Sequence, residues 1–451
     1  MQLKKNILDL RWKVFVQQRE DIIWLDSAIL MHPKTREASG HVDWFNDPLI
    51  DDKNTWERFR ADKLIEDCIE RDRSEIVQDL DADAVLKERY HKELGVENLI
   101  PESWTLEQMK EFMVQYVPNN PTSKKPAEWT DVRKFALMYH TFQWVIEWDT
   151  NKIRMRPETA QGIFVNFKNI TDTMRLRVPF GVAQPWKAFR NEITPWNFLY
   201  RTREFEMLEI EYFVENNEEE GFKYVDHWIE ESLNRWKNIM QVDPDRLRVR
   251  AHEDDELSHY STKTVDIEFK YPWWRGELQG IAYRTDFDLK AHQEHSGQSM
   301  QYTDPMTWKR YIPHVVEPSF WLSRMFLTMM FDAYTEEEYV DSNGREQTRV
   351  VAKFPTQIAP VRAAILPVVK KDQDLVRMWR ELYKELSQHF IVEYDEAWAI
   401  WKRYRRQDEI WTPYCITLDS QTKEDNTVTV RERDSMNQTR VPLSDILSSL
   451  A

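Results

Sequence analysis

Residues 187–213 read KAFRNEITPWNFLYRTREFEMLEIEYF. Aromatic and charged residues alternate at both ends, and Thr194-Pro195 supplies a turn between them. The pattern predicts a hairpin of two antiparallel strands. Strand side chains alternate faces, so Glu204, Glu206 and Leu208 share one face while Arg203, Phe205, Met207 and Glu209 share the other. An arginine, a phenyl ring and carboxylates on one strand suit a nucleotide. The guanidinium can fork onto phosphate oxygens and the ring can stack on a purine. Taken alone, the same residues also suit an exposed strand with paired charges.

Three further clusters lie on either side. Arg156-Pro157-Glu158-Thr159-Ala160-Gln161-Gly162 precedes the hairpin. Glu277-Leu278-Gln279-Gly280 follows it and leads to Tyr283-Arg284-Thr285-Asp286-Phe287-Asp288-Leu289. Val316 to Arg324 puts an acid and a serine at the end of a strand and an arginine one turn into a helix. A helix N-terminus favours anions, although a capped helix with a surface arginine reads the same way.

Around these clusters, Leu3, Ile7, Leu10 and Val14 predict an opening amphipathic helix. Ile22–Leu25 and Ala28–Met31 read as strands, the second stopped near Pro33. Residues 67–115 are charged and helical, with Leu80, Leu86 and Leu94 as sparse apolar positions, and 119–126 is a loop. Short apolar runs between about 130 and 330 predict an antiparallel sheet with helices packed on it. Beyond a junction at 353–360, strand-like 363–369, a helix through Leu375, Trp379, Leu382 and Leu386, and strands at 390–392 and 427–431 predict a small α/β domain.

The chain has 451 residues, 31% charged and 41% hydrophobic, a soluble globular balance with room for two or three domains. No apolar run approaches bilayer-spanning length. Cys68 and Cys415 are too few for a disulfide framework or a cysteine zinc site, so no zinc is expected and the cytoplasm is the expected compartment. A net charge of −16 excludes blanket electrostatic binding of nucleic acid; an RNA partner needs local basic patches. One count is abnormal: 9 glycines against 20 tryptophans, where average usage gives roughly 32 glycines.

Taken together, the segments resemble the homodimeric class of glycyl-tRNA synthetases. RPETAQGIFVNFKN (156–169), KAFRNEITP (187–195), RTREFEMLEIEYF (201–213), RTDFDL (284–289), VVEPSF (315–320), SAILMHP (27–33), ASGHVD (38–43) and KRYRRQDEI (402–410) carry the likeness over nearly the whole chain. It implies an α+β fold: the class II synthetase antiparallel sheet with flanking helices, plus a C-terminal α/β anticodon-binding domain. The implied divisions are 1–66 (motif 1 and dimer region), 67–135 (helical insertion), 136–350 (motifs 2 and 3) and 351–451 (anticodon domain). The implied activity joins glycine to tRNA-Gly through glycyl-adenylate, with ATP and Mg²⁺. A non-catalytic RNA- or partner-binding paralogue is the alternative from another class.

The resemblance also implies roles. Arg190 and Arg324 are the catalytic cations of motifs 2 and 3. Asn191, Glu192, Tyr200, Arg203, Phe205, Glu277 and Leu278 complete the ATP site, with Phe205 under adenine and Glu277 toward magnesium. Arg60, Glu158, Glu206, Arg284, Glu317 and Ser319 surround glycine, which must be chosen by anchoring its ammonium and excluding any Cβ. Lys402, Arg403, Arg405 and Arg406 face tRNA.

The departures are nearly all of one kind. Tryptophan stands where the family has glycine at Trp24, Trp44, Trp186, Trp274, Trp321, Trp398, Trp401 and Trp411. Trp196 replaces an expected Pro-Gly turn, and Trp56, Trp144, Trp148 and Trp308 belong to the same set. Trp12, Trp104, Trp228 and Trp236 are unsurprising. Decay of function would not spare the charged residues while striking only glycines. GGA and TGA differ by one base, and some bacterial lineages read UGA as glycine, so UGA-encoded glycines written as tryptophan account for the pattern. Restoring the thirteen raises the glycine count from 9 to 22. The family also carries a Gly-rich segment before the first helix, which on this reading makes Met1 an internal methionine. The coding DNA tests the idea: Trp24, Trp44, Trp186, Trp321, Trp398, Trp401 and Trp411 are expected at TGA codons, and Trp12 and Trp236 at TGG. TGG throughout would remove it.

Overall fold

The computed structural model describes residues 1–76, 81–143, 152–253, 257–258, 260–340, 344–369 and 372–450. Leu80, Trp144 and Trp148 lie outside them. The N-terminal part contains α1 (Gln2–Trp12), β1 (Ile22–Trp24), α2 (Pro33–Ala38), β2 (Asn46–Asp51), β3 (Arg58–Arg60), α3 (Ala61–Glu75), α4 (Ala82–Leu94), α5 (Leu106–Tyr116) and β4 (Arg133–Ala136). There follow α6 (Ala160–Met174), β5 (Phe180–Phe189), β6 (Glu204–Val214), α7 (Glu218–Asn238), β7 (Leu247–Ala251), β8 (Lys263–Lys270), β9 (Arg275–Thr285), α8 (Phe287–Ser296), β10 (His314–Trp321) and α9 (Leu322–Ala333). The C-terminal part adds β11 (Tyr334–Val340), β12 (Glu346–Ala352), β13 (Ala363–Pro367), α10 (Gln373–Leu386), β14 (Val392–Tyr394), α11 (Ile400–Glu409), β15 (Tyr414–Leu418), β16 (Thr427–Glu432) and β17 (Gln438–Pro442).

A seven-stranded sheet in the order β1-β5-β6-β10-β9-β8-β7 organises the molecule. Only the β1–β5 pair is parallel. Alternation along β6 sends Leu208, Ile210 and Tyr212 to one side, where they bury against α1, α7 and α9 with Trp228, Trp236 and Met325. Val182, Phe213 and Val315 face the other side, under Phe164 and Phe167 of α6. Helix α6 covers only one end of that second face. The stretch from Phe205 to Glu211 is left to face inward beside it, and this creates the site.

β2, β3 and β4 form a separate three-stranded sheet at the root of a helical layer. There α3, α4 and α5 bury Ile65, Leu86, Tyr90 and Phe112 in their own core. At the C-terminus a five-stranded sheet β14-β13-β15-β16-β17 packs on α10. The fold is therefore α+β, with the antiparallel sheet and the C-terminal α/β unit that the sequence implies.

Two local expectations change. Ala28–Met31 is not a strand, because the β5 edge it would need is already taken by Ile22–Trp24. Pro33 opens a helix instead of ending a strand, its fixed φ suiting the first helical position. Near the C-terminus the strand expected at 390–392 pairs two residues later, at 392–394, where Val392 reaches Ala363.

The tryptophans differ in backbone and burial. Trp56, Trp186, Trp308, Trp398 and Trp411 have φ of 57°, 109°, 59°, 71° and 79°. That is the left-handed region, where a Cβ crowds the backbone at roughly 1–2 kcal/mol per residue. All five belong to the glycine-replacing set. Trp56, Trp308 and Trp398 are also 74%, 78% and 69% exposed, whereas Trp228 and Trp236 are 0% and 1% exposed. Changing Trp56, Trp308 and Trp398 together to glycine should therefore raise the free energy of unfolding by about 2–4 kcal/mol, the sum over three distant sites less the entropy that glycine adds to the unfolded chain. Urea denaturation measures it. Trp228→Gly in the same assay should instead destabilise by several kcal/mol.

Candidate active site

Strand register assembles the first half of the site. Ser319 of β10 pairs with Glu209 of β6 on one side and Gly280 of β9 on the other, so Glu317, Ser319 and Trp321 share a face with Glu209, Glu211 and Phe205. At its centre Arg284 is buried among acids. Its Nε and Nη2 donate to Asp288 at 2.7 and 3.0 Å, and its Nη1 donates to Glu317. Glu158 Oε1 lies 3.8 Å from Nη2. Gln161 Nε2 ties Glu158 to Asp288 at 2.8 and 2.9 Å, and His41 stands 3.5 Å from the other Glu158 oxygen. Glu209 accepts from the backbone and hydroxyl of Thr159.

The carboxyls divide by environment. Burial alone would protonate Glu158, but His41 and Arg284 hold it well below the usual carboxylate range. Burial, with repulsion from Glu317 and Glu158, pushes Glu209 up to about 8. Burial beside Glu317 pushes Glu211 well up, and both its oxygens lack a hydrogen-bond partner. Glu158, Glu209, Glu211, Glu317 and Asp288 crowd around Arg284, so the pocket is short of positive charge. A compact cation suits it. A Cβ at Gly280 would lie 3.3 Å from Ser319 Oγ and 3.7 Å from Asp266 and Glu277 oxygens, so a side chain there would narrow the same space.

The second half is a cleft of about 340 Å³ whose lining includes Asp47, Arg60, Arg190, Glu192, Tyr200, Arg201, Glu277 and Arg324. The Arg190 guanidinium lies over Phe45 (5.4 Å), Phe205 (5.6 Å) and Trp321 (4.8 Å), and its Nε donates to Pro157 O at 3.2 Å. Arg324 bonds Glu277 at 2.7 Å and lies over Tyr200 at 4.5 Å. Despite burial, that contact holds Glu277 below the usual carboxylate range. The hairpin loop is closed by Arg190 N to Arg203 O (3.0 Å), and Arg203 Nε donates to Glu192 O at 3.0 Å. Asn191 N reaches Leu137 O at 2.6 Å, so the loop is docked on the segment beyond β4.

The slot between Phe205 and Arg324, which the resemblance assigns to adenine, is filled by Trp321. Its indole stacks on Phe205 at 4.4 Å and 23°, with Arg324 on it at 4.4 Å.

Not every expected residue joins this site. Glu206 lies on the opposite face of β6, paired with Lys4 of α1 and near buried Arg11, because one step along a strand reverses the face. Leu278 is fully buried in the main core, so only its backbone faces the cleft side. Arg403 is buried, donating to Pro367 O at 2.9 Å and Asp395 O at 3.1 Å. Helical spacing turns Arg403 to the sheet with Gln407, while Lys402 lies outside over Trp398 and Trp401. Arg405 donates to Tyr339 and Gln347, and Arg406 to Asp395. Residues to which the sequence assigned no role are Glu209, Glu211, His41, Asp47 and Asp288. Alternation from Phe205 could have found Glu209 and Glu211; nothing local signals the other three. Among the described residues no group of three or more His, Cys, Asp or Glu could hold a metal.

Residues 362–451 match the anticodon binding domain family, and residues 47–100 match glycyl-tRNA synthetase insertion domain 1. The chain is 48% identical over 446 residues to a glycine–tRNA ligase of Lysinibacillus sphaericus, covering 99% of this chain and 89% of the relative. It is 45% identical over 451 residues to that of Staphylococcus epidermidis (100% and 91% covered). It is 46% identical over 446 residues to that of Staphylococcus aureus (99% and 90% covered).

Any ring that stacks on Phe205 must displace the Trp321 indole. Trp321→Gly should therefore raise ATP affinity at least about tenfold, equivalent to about 1.4 kcal/mol, as measured by calorimetry. Equal affinity would show that ATP does not use this slot.

Proposed function

The chain belongs to the glycyl-tRNA synthetase family and is a glycine–tRNA ligase, and from that premise we propose how its residues divide the work. In the first step the carboxylate of glycine attacks the α-phosphorus of ATP, pyrophosphate leaves and glycyl-adenylate forms. In the second, a hydroxyl of the tRNA terminus takes the glycyl group and AMP leaves. Arg190 meets the α-phosphate, where an anion attacking an anion needs a fixed cation. Arg324, braced by Glu277 and Tyr200, covers adenine from the side opposite Phe205. Positioning and charge neutralisation then supply most of the acceleration, without a side-chain nucleophile.

One observation carries this reading. A buried acidic pocket and an arginine-lined cleft share β10, whose Glu317 serves the first and whose Trp321 position serves the second. The ammonium of glycine sits among Glu158, Glu209 and Glu317, and Glu209 takes the place first given to Glu206. The floor is a neutral Glu211, so the pocket carries enough negative charge to hold one ammonium. Its narrowness beside Ser319 excludes a substrate Cβ. Arg60, at the cleft rim, meets the glycyl or tRNA end of the substrates.

Magnesium is normally held by one or two carboxylates together with substrate phosphates. Glu277 fits that pattern and would hold the ion, which neutralises phosphate charge when bound. Lys402, Arg405 and Arg406 on α11 offer cations to tRNA, while Arg403 serves the fold. The division into catalytic, insertion and anticodon units and the homodimeric assembly carry over from the resemblance.

Tryptophans at 56, 186, 308, 398 and 411 with left-handed backbone support the reading that these positions encode glycine. Trp321 in the adenine slot supports it as well. A chain that truly contains these tryptophans would favour the second reading, a paralogue that binds tRNA without activating glycine.

Pyrophosphate exchange tests the proposal. With the thirteen glycines restored, the protein should exchange pyrophosphate into ATP with glycine but not with alanine or serine. Arg190→Ala should lower that exchange by roughly 10²–10³-fold, as for a lost preorganised charge stabiliser. Near-normal exchange would remove Arg190 from the site.

A further inference from the structure

Asp47 is the one acid of the cleft with no part in the roles above. It is 8% exposed, and it lines the same cavity as Arg190, Arg324 and Glu277. Its Oδ2 has no hydrogen-bond partner. The nearest cation, Arg60 Nη1, stands 3.5 Å away, while the hydrogen bonds of Arg60 go to Asp62. A buried carboxylate oxygen left without a donor is costly, and such a group held open in a cleft is a candidate for work on a ligand.

Its position is rigid. Asp47 pairs across the small sheet with Phe135, and its neighbour Leu49 pairs with both Arg60 and Arg133. The same region holds the loop that carries Arg190, through Asn191 N on Leu137 O and through the Phe45 ring beneath the guanidinium. Asp47 is thus fixed relative to the arginine read as the α-phosphate ligand. Several other acids of the site are committed to cations: Glu277 to Arg324, and Glu158, Glu317 and Asp288 to Arg284.

We infer that Asp47 is a catalytic residue of the second step, the acceptor of the proton from the ribose hydroxyl of the tRNA terminus as that oxygen attacks the glycyl carbonyl. The inference rests on reading the cleft as the adenylate site. The hydroxyl oxygen forms a bond to the carbonyl carbon. The bond from that carbon to the phosphate oxygen breaks, and its electron pair leaves with AMP. The hydroxyl proton passes to the Asp47 carboxylate and from there to solvent.

The electrostatics suit a base working near neutral pH. Burial pushes the Asp47 carboxyl up, Asp62 of α3 and Glu192 of the hairpin loop push it further, and Arg60 of β3 and Arg201 of the same loop pull it back, to about 6. The ionised form, the base, therefore prevails above about pH 6 and is lost as pH falls through it.

Single-turnover transfer from preformed glycyl-adenylate to tRNA-Gly, run beside pyrophosphate exchange in the glycine-restored full chain, tests this. Asp47→Asn should slow transfer by about 10²-fold or more, the usual yield of a general base, and by at least about tenfold more than it slows exchange. Transfer in the parent should rise with pH through about 6 and level off above it. That limb should vanish in Asp47→Asn and return in part in Asp47→Glu. Transfer at the parent rate in Asp47→Asn, or an equal loss of both steps with the limb retained, overturns the inference. Should Asp47→Asn fail to fold, the parent profile decides, and a flat rate from pH 5 to 8 overturns it. If the parent itself shows no exchange, the adenylate reading fails first and this inference falls with it.

Discussion

The guanidinium of Arg284 is the contact on which the site depends. It is buried in the sheet, with Asp288 bonded in bidentate fashion and Glu317 and Glu158 on its other sides. Stripping water from that many charges is expensive, and only mutual pairing recovers the loss. Removing the arginine would strand three carboxylates in a medium that cannot solvate them. With His41 it keeps Glu158 ionised, whereas burial and the neighbouring carboxylates push Glu209 and Glu211 toward the protonated form. The cluster thus holds Glu158 charged and leaves Glu209 and Glu211 able to take up a proton when no cation is near.

The same network joins distant parts of the chain. Gln161 at the start of α6 touches Asp288 of α8 and Glu158, and His292 reaches Gln161 at 2.6 Å. His41, which follows α2, closes the pocket against Glu158. The acidic pocket is therefore built from rigid elements held by one another's charges. The cleft beside it is held by a hairpin loop docked on the segment after β4. This division suits a reaction in which a very small substrate must be excluded from slack space while a large one enters and leaves.

The tryptophans show a different constraint. A backbone with φ near +60° is a property of the fold, and the residue must accept it. Trp398 and Trp411 bracket α11, and Trp56 and Trp308 close turns through Asp52 and Asp304. In each place the chain reverses in a way suited to a residue without Cβ. Trp56, Trp308 and Trp398 are exposed for the same reason, since a turn offers no pocket for an indole, whereas Trp411 packs on Phe354 at the edge of the main core. Trp228 and Trp236, by contrast, fill the main core.

Much of this was legible in the residues. The alternation from Arg203 to Glu209 placed Phe205 and Glu209 on one face and Glu206 on the other, and the structure agrees. Matching motifs by position favoured Glu206 for glycine, but β-strand geometry sends it to Lys4 and Arg11 on the far side of the sheet. The basic run 402–406 was visible as charge. Which of its members face solvent depends on how α11 packs, and that turns Arg403 inward. The segment 28–31 has strand composition, but a strand needs a free edge, and no local pattern reports whether the edge is taken.

The sequence by itself determined the family, the antiparallel core, part of the charged set around both half-sites and the anomaly of glycine. The family and the site residues come from the resemblance of short motifs, the antiparallel core from short-range periodicity, and the glycine anomaly from composition. Only the tertiary structure decided which carboxylates share Arg284, that Trp321 lies in the stacking slot, and that Asp47 is left without a hydrogen-bond donor at Oδ2. Each of those depends on side chains from segments far apart in the chain meeting in a space without water. There, burial and neighbouring charge set the protonation and reach of a group whose identity alone says neither.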